Sequence, residues 1–213
     1  MGEHNMTYET FPVGSFEENT TIIAAGGRAW IVDPGAEATL IAAKIEKNGL
    51  SPAGILLTHA HFDHIGAIPA LEARWPGIKV YVDPLDLAIV DHPFNQFPPD
   101  YPPVAKPSSP HPAAEAGDPA LWGGEEAPKV IATPGHTPGG VSYYFEKAKL
   151  LFSGDTLFAG SCGRTDFPGG SMARMHESLA RLMELPDDVK VIPGHGGETT
   201  IGRERRSNPY IAL

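Results

Sequence analysis

Residues 58–64 read Thr-His-Ala-His-Phe-Asp-His and follow directly on the apolar run Gly-Ile-Leu-Leu at 54–57. A short, wholly apolar run of this kind predicts a strand buried on both faces. The chain must therefore place three imidazoles and a carboxylate at the end of a buried strand. Four such groups within six residues cannot all be satisfied as ordinary core groups, because each buried polar group needs a partner. Three later turns carry matching material: Pro-Gly-His-Thr at 134–137, Gly-Asp at 154–155 and Pro-Gly-His-Gly at 193–196. Each sets a potential ligand beside a glycine, where the backbone can approach an ion closely. Five imidazoles and two carboxylates result: His59, His61, Asp63, His64, His136, Asp155 and His195.

This donor set points to a metal. Imidazole with carboxylate suits zinc, iron or manganese, whereas calcium and magnesium prefer shells of oxygen alone. Seven groups exceed the four of a structural zinc site, and two ions sharing one carboxylate would use them all. Two ions in that arrangement acidify water to a pKa of about 7 and polarise a carbonyl, which is hydrolytic chemistry.

The rest of the chain fits a scaffold for such a site. Glycine and proline (24 and 22 residues) exceed ordinary usage, so much of the length is loop. Runs at 20–25 and 28–32 flank Gly26-Gly27 and predict a hairpin. Spacing predicts helices over 40–45, 65–75, 84–90 and 172–183, with strands over 79–82, 129–132, 141–145, 150–153 and 189–192. The Met172, Met175, Leu179, Leu182 and Met183 stripe reads as core packing. Residues 93–112 hold eight prolines with Phe94, Phe97 and Tyr101 between them. They read as a stiffened surface loop or as the wall of a pocket.

Taken together, THAHFDH, PGHTPG, GDTLF and PGHG resemble the metallo-β-lactamase superfamily, and the VDPG turn at Asp33 extends the resemblance to nearly the whole chain. The resemblance implies an α/β fold, a four-layered αββα sandwich with metals at one sheet edge, formed by residues 1–213 as one domain. Carried over by position, His59, His61 and His136 would hold one ion; Asp63, His64 and His195 would hold the other. Asp155 would bridge them, which makes Asp63 and Asp155 the carboxylates on which catalysis turns. Asp33 would steady a ligand from behind, or else simply form its turn. The expected cofactors are two divalent metal ions, zinc first, with iron or manganese suited to the same donors. Asp155 in GDTLF is similar to glyoxalase II (hydroxyacylglutathione hydrolase); the best-known antibiotic-hydrolysing branch has cysteine there. The closing residues 198–209 resemble small glyoxalase II-like hydrolases of bacteria, without the C-terminal helical glutathione-binding domain of the full-length enzyme. The implied activity is hydrolysis of a thioester such as S-lactoylglutathione by metal-bound hydroxide.

Gly-Arg-Thr-Asp at 163–166 leaves two readings for Arg164: an ion pair with Asp166, or a contact to a substrate carboxylate. The surrounding string also resembles persulfide dioxygenases, in which His59, His136 and Asp155 would hold a single ferrous ion. That iron enzyme is the alternative function. Cys162 is the only cysteine, so no intrachain disulfide forms, and it reads as a bystander. Acidic residues outnumber basic ones 26 to 16, giving a formal charge of -10. That balance argues against nucleic acid or an anionic membrane as the partner, and the resemblance implies a small-molecule thioester instead. With no apolar span and no basic leader, the expected location is the cytoplasm.

Overall fold

The computed structural model describes residues 6–96, 101 and 104–211. The chain starts with three antiparallel strands, β1 (Thr7–Val13), β2 (Glu18–Ala25) and β3 (Arg28–Val32). Gly26 and Gly27 join the last two with φ of 55° and 75°. A two-residue hairpin turn that follows the strand twist requires those angles, and residues bearing a Cβ adopt them only at a cost. The residue pattern does not mark β1. It is an edge strand with exposed and half-buried positions and a proline at 12, so its hydrophobic signal is weak.

Helix α1 (Ala38–Lys47) then leads to Gly49, whose positive φ closes it. Strand β4 (Ser51–Leu56) follows, then the one-turn helix α2 (Phe62–Ile65), α3 (Ile68–Arg74), β5 (Val80–Val82), α4 (Pro84–Leu87) and β6 (Pro110–Pro112). Strands β3 to β6 pair in parallel, completing a six-stranded sheet in the order β1 to β6. The second sheet takes β7 (Lys129–Ala132), β8 (Val141–Phe145) and β9 (Leu150–Gly154). A small ribbon, β10 (Leu157–Phe158) with β11 (Ser161–Cys162), precedes α5 (Met172–Leu182). Strand β12 (Lys190–Pro193), β13 (Thr199–Thr200) and α6 (Ile201–Ser207) close the order β13-β12-β9-β8-β7. Each main sheet is thus built from one uninterrupted stretch of chain.

Three separate cores make four layers. Strand alternation sends Ile22 and Ile31 to one face, where they pack on Ile41 and Ile45 of α1 and Ile68 and Leu71 of α3. Ile23, Trp30 and Val32 point the other way and meet Tyr143, Phe145 and Phe152 of the second sheet. On that sheet's far face, Tyr144, Leu151 and Val191 pack on Met175, Leu179 and Leu182 of α5 and on Ile201 of α6. This is the αββα sandwich of the metallo-β-lactamase fold.

Local departures from expectation have local causes. The helix predicted over 65–75 is broken after Ile65, where the Ala67 amide donates to the Pro34 carbonyl (3.0 Å) instead of continuing the helix, and a Cβ at Gly66 would lie 2.4 Å from the neighbouring Gly35 carbonyl oxygen. The one predicted over 84–90 ends at Leu87. The proline-rich stretch carries a 3₁₀ turn at Pro93–Asn95 and the strand β6. Phe97 lies outside the described residues. No helix among the described residues is long and apolar enough to cross a membrane.

Candidate metal centre

The ends of five strands converge at one edge of the sandwich. Asp33 follows β3, residues 59–64 follow β4, His136 follows β7, Asp155 follows β9 and His195 follows β12. Donor atoms of His59, His61 and His136 lie within 4.8 Å of one another, and so do those of Asp63, His64 and His195. Asp155 stands between the groups. Its Oδ2 is 3.5 Å from His136 Nε2 and 3.8 Å from His195 Nε2, and its Oδ1 is 3.5 Å from His64 Nε2. All seven predicted donors are therefore brought together, and Asp33, His59 and His64 make a third group as close.

Acceptors behind the rings fix which nitrogen faces inward. A carbonyl or carboxylate oxygen can only accept, so the proton sits on the nitrogen that meets it. His136 Nδ1 donates to the Arg164 carbonyl (2.7 Å) and His195 Nδ1 to the Phe16 carbonyl (3.0 Å). His64 Nδ1 donates to Asp33 Oδ2 at 3.0 Å. Thr58 Oγ1 donates to the same carboxylate (2.5 Å), which leaves its lone pair for His59 Nδ1 at 3.1 Å. Asp33 also accepts from the Thr58 amide at 2.7 Å, so it steadies the His64 ring and the start of the loop that carries His59, and it holds a φ of 46°. Four rings thus present Nε2 to the centre. His61 is the exception, with Nδ1 only 2.8 Å from His136 Nε2.

The charge states of His59, His61, Asp63 and Asp155 suit cation binding. Burial, followed by the neighbouring imidazoles, holds His59 well below the ordinary histidine range, and burial takes His61 down to about 3. Both rings stay neutral with lone pairs available. Burial alone would lower His64 and raise Asp155, but their mutual attraction outweighs it, so His64 is raised and Asp155 lowered. Burial also opposes the ionised form of Asp63, yet His195 overcomes this and lowers it. The Nε2 atoms of His59, His61 and His64 and Oδ1 of Asp155 are buried without a hydrogen-bond partner. Buried polar groups are rarely left so in a folded protein, and cations at the centre would satisfy His59 Nε2, His64 Nε2 and Asp155 Oδ1, while His61 would offer Nδ1 in place of its Nε2. The residues present therefore fit divalent metal.

A cavity of about 470 Å³ opens over Asp63, Asp155, His61 and His136, walled by Phe16, Phe62, Phe94 and Phe167 and edged by Arg164. Phe94 thus lines the pocket. Tyr101 instead packs edge-on against Phe16 and Phe62, at ring distances of 5.8 and 5.0 Å. Arg164 makes a two-pronged ion pair with Asp166 (2.7 and 2.8 Å) and lies 3.9 Å over the Phe167 ring. The ion-pair reading of Arg164 is what the structure shows, and the residue also borders the cavity. Cys162 is half-buried, and burial pushes its thiol up, which suits an inert bystander.

Several residues of the site escape sequence reasoning. Asn19 holds the His195 turn, its amide donating to the Gly194 carbonyl (2.8 Å) and its Nδ2 to those of Pro193 (3.0 Å) and Gly196 (2.9 Å). Glu18, fully buried, accepts from Thr20 Oγ1 and sits 3.8 Å from His64 Nδ1. Phe16 and Phe167 reach the cavity from turns that carry no metal-ligand motif.

Comparison with known proteins agrees with this geometry. A family model described as the metallo-beta-lactamase superfamily matches residues 13–195. Hydroxyacylglutathione hydrolase GloC of Haemophilus influenzae is 34% identical, over 97% of this chain and 98% of its own. The crystal structure of BLEG-1, described as a B3 metallo-beta-lactamase, superposes with a TM-score of 0.86 at 33% identity, covering 97% of this chain and 100% of that one. TTHA1623, crystallised in a di-iron-bound form, gives a TM-score of 0.81 at 37% identity, over 95% and 99% of the two chains.

Proposed function

Since the chain belongs to the metallo-β-lactamase superfamily, we propose that it is a metal-dependent hydrolase of thioesters, with hydroxyacyl-glutathione as the leading substrate class. The observation that carries its metal dependence is the set of buried, unpartnered donor atoms His59 Nε2, His64 Nε2 and Asp155 Oδ1 where the seven donors meet. His59, His61 and His136 would hold one divalent ion and Asp63, His64 and His195 a second, with Asp155 shared between them. Zinc suits these donors, as do iron and manganese. Such ions supply Lewis-acid polarisation of a carbonyl and bring the acidity of water near neutrality.

The chain's own residues do the rest. Asp33, Thr58, and the carbonyls of Phe16 and Arg164 lock the rings in one tautomer and orientation. Phe16, Phe94 and Phe167 exclude water and hold the apolar parts of the substrate over Asp155. Arg164 borders the same cavity and can draw a substrate carboxylate when it shares its guanidinium with Asp166. A thiol leaving group, with an ordinary pKa of about 8.5, departs without a dedicated acid.

Thiol release from S-lactoylglutathione by metal-loaded protein tests the proposal, together with metal counted on freshly purified protein. Turnover with two ions per chain supports it, and no turnover above buffer sinks it. A β-lactam panel belongs in the same assay, given the likeness to a B3 enzyme. One iron per chain with oxygen uptake on glutathione persulfide would favour the dioxygenase instead. That reading uses only His59, His136 and Asp155 and leaves the Asp63, His64 and His195 group without a task.

A further inference from the structure

Two polar side chains that the mechanism does not use, Asp86 and Asn95, are completely buried within the fold. Asp86 lies in α4. Its Oδ2 accepts from the Ala60 amide at 2.9 Å and its Oδ1 from the Gly139 amide at 2.6 Å. Ala60 is the residue between His59 and His61, and Gly139 is three residues beyond His136. One carboxylate therefore ties together the two loops that carry the first group of donors. The fit leaves no slack: a Cβ at Gly139 would lie 2.7 Å from Asp86 Oδ1.

Asn95 grips the same loop from its other side. Its Nδ2 donates to the Ala60 carbonyl at 2.9 Å, and its Oδ1 accepts from the Phe62 amide at 2.8 Å. The N–H and C=O of Ala60 and the N–H of Phe62, which bracket His61, are thus all held by side chains from the stretch between β5 and β6. Backbone groups of this loop have to be satisfied, but water or another loop could do that on the surface. Burying a carboxylate and a carboxamide for the task is costly, and their shortest hydrogen bonds all go to backbone groups of the two donor loops. Phe94, next to Asn95, stands with its ring 5.7 Å from that of His61, so the same stretch also sets one wall of the cavity.

We infer that Asp86 and Asn95 are positioning residues that fix His59, His61 and His136 relative to one another through the backbone of their loops. The inference rests on the two-ion reading above. Groups that orient ligands from behind carry about tenfold to a hundredfold in metal affinity when lost.

The test titrates zinc into metal-free wild type, Asp86→Asn, Asn95→Asp and Asn95→Gln against a chromophoric chelator, with apo-protein folding followed by circular dichroism. Glu204→Gln serves as a control, since Glu204 is an equally buried carboxylate with its own amide donor, Gly160 N at 2.7 Å. In the Asp86 and Asn95 variants, one ion should weaken about tenfold to a hundredfold while the other binds as before. Their kcat on S-lactoylglutathione should fall with KM little changed. Glu204→Gln should lose thermal stability and keep both affinities. Wild-type affinity for both ions in the folded Asp86 and Asn95 variants would overturn the inference, whatever their stability. If all three variants are unfolded without metal, the role is mere support of the fold and the inference falls as well. A wild type that does not bind two ions would overturn the metal reading itself, and this inference with it.

Discussion

Asp155 has neighbours that any single-site reading must explain, because His64, His136 and His195 all approach its two oxygens. Asp155→Asn keeps the shape and removes the charge that would hold two dications side by side. We expect one ion lost per chain and a kcat lowered by about a hundredfold or more, beyond the usual cost of an outer partner, with little change in KM. Metal analysis alongside steady-state kinetics checks this, and a variant with both ions and near-normal turnover would refute the bridging role. Asp86 makes a different prediction, on stability. Burial pushes its carboxyl up to about 6, against the Thr137 side chain and the two amides, which hold it down. A carboxyl with a folded pKa above its unfolded 3.8 favours the fold most below about pH 4, and that contribution fades as pH rises through 6. Metal-free wild type should therefore lose on the order of 2 kcal/mol relative to Asp86→Asn between pH 4 and 7. Denaturant midpoints for the two proteins across that range measure it, and parallel curves would contradict it.

At the scale of elements, the stretch from β5 to β6 does two jobs that a sequence reader sees as one. Its prolines and aromatics suggest a wall, and Phe94 does line the cavity. Asn95 beside it serves the donor loop, so deleting the whole segment would disturb metal binding and pocket shape together. Phe94→Ala separates them. It should raise KM several-fold for a bulky thioester, leave KM for a small one nearly unchanged, and keep the metal content intact. Equal effects on large and small substrates would mean that Phe94 walls nothing. The same contrast explains what is legible beforehand. His59, His61, Asp63, His64, His136, Asp155 and His195 announce themselves because metal donors beside glycine turns are rare combinations. The core strands announce themselves too, Ile22, Ile23, Trp30 and Ile31 by alternation and β4 by its apolar run. Asn19, Glu18, Thr58, Asp86 and Asn95 do not, since each acts on a backbone or ring made near only by the fold. The break at Gly66 is hidden for the same reason: the carbonyl it must admit belongs to Gly35, thirty-one residues earlier.

For the whole molecule, the donors divide between the two halves of the sandwich. The first sheet delivers His59, His61, Asp63 and His64, and the second delivers His136, Asp155 and His195. Metal would then act as a clasp across the edge where the sheets meet. Chelation should lower the melting temperature, by an amount that grows with free metal as binding linkage requires, and Asp155→Asn should shrink that difference. Calorimetry with and without chelator reads it directly, and an identical melting temperature in both would rule the clasp out. The continuity of each sheet in the chain has a consequence for how such a protein can be inherited. A cut near Gly123-Gly124, after Trp122 has stacked on Trp30 and before β7 begins, severs no sheet. Two separately encoded polypeptides, 1–123 and 124–213, should therefore reassemble by complementation, with zinc favouring the pair over the parts. Co-purification of a tagged first piece with an untagged second, lost on adding chelator, is the expected result. A gene for this fold could be split at that point and its product placed under the control of metal supply.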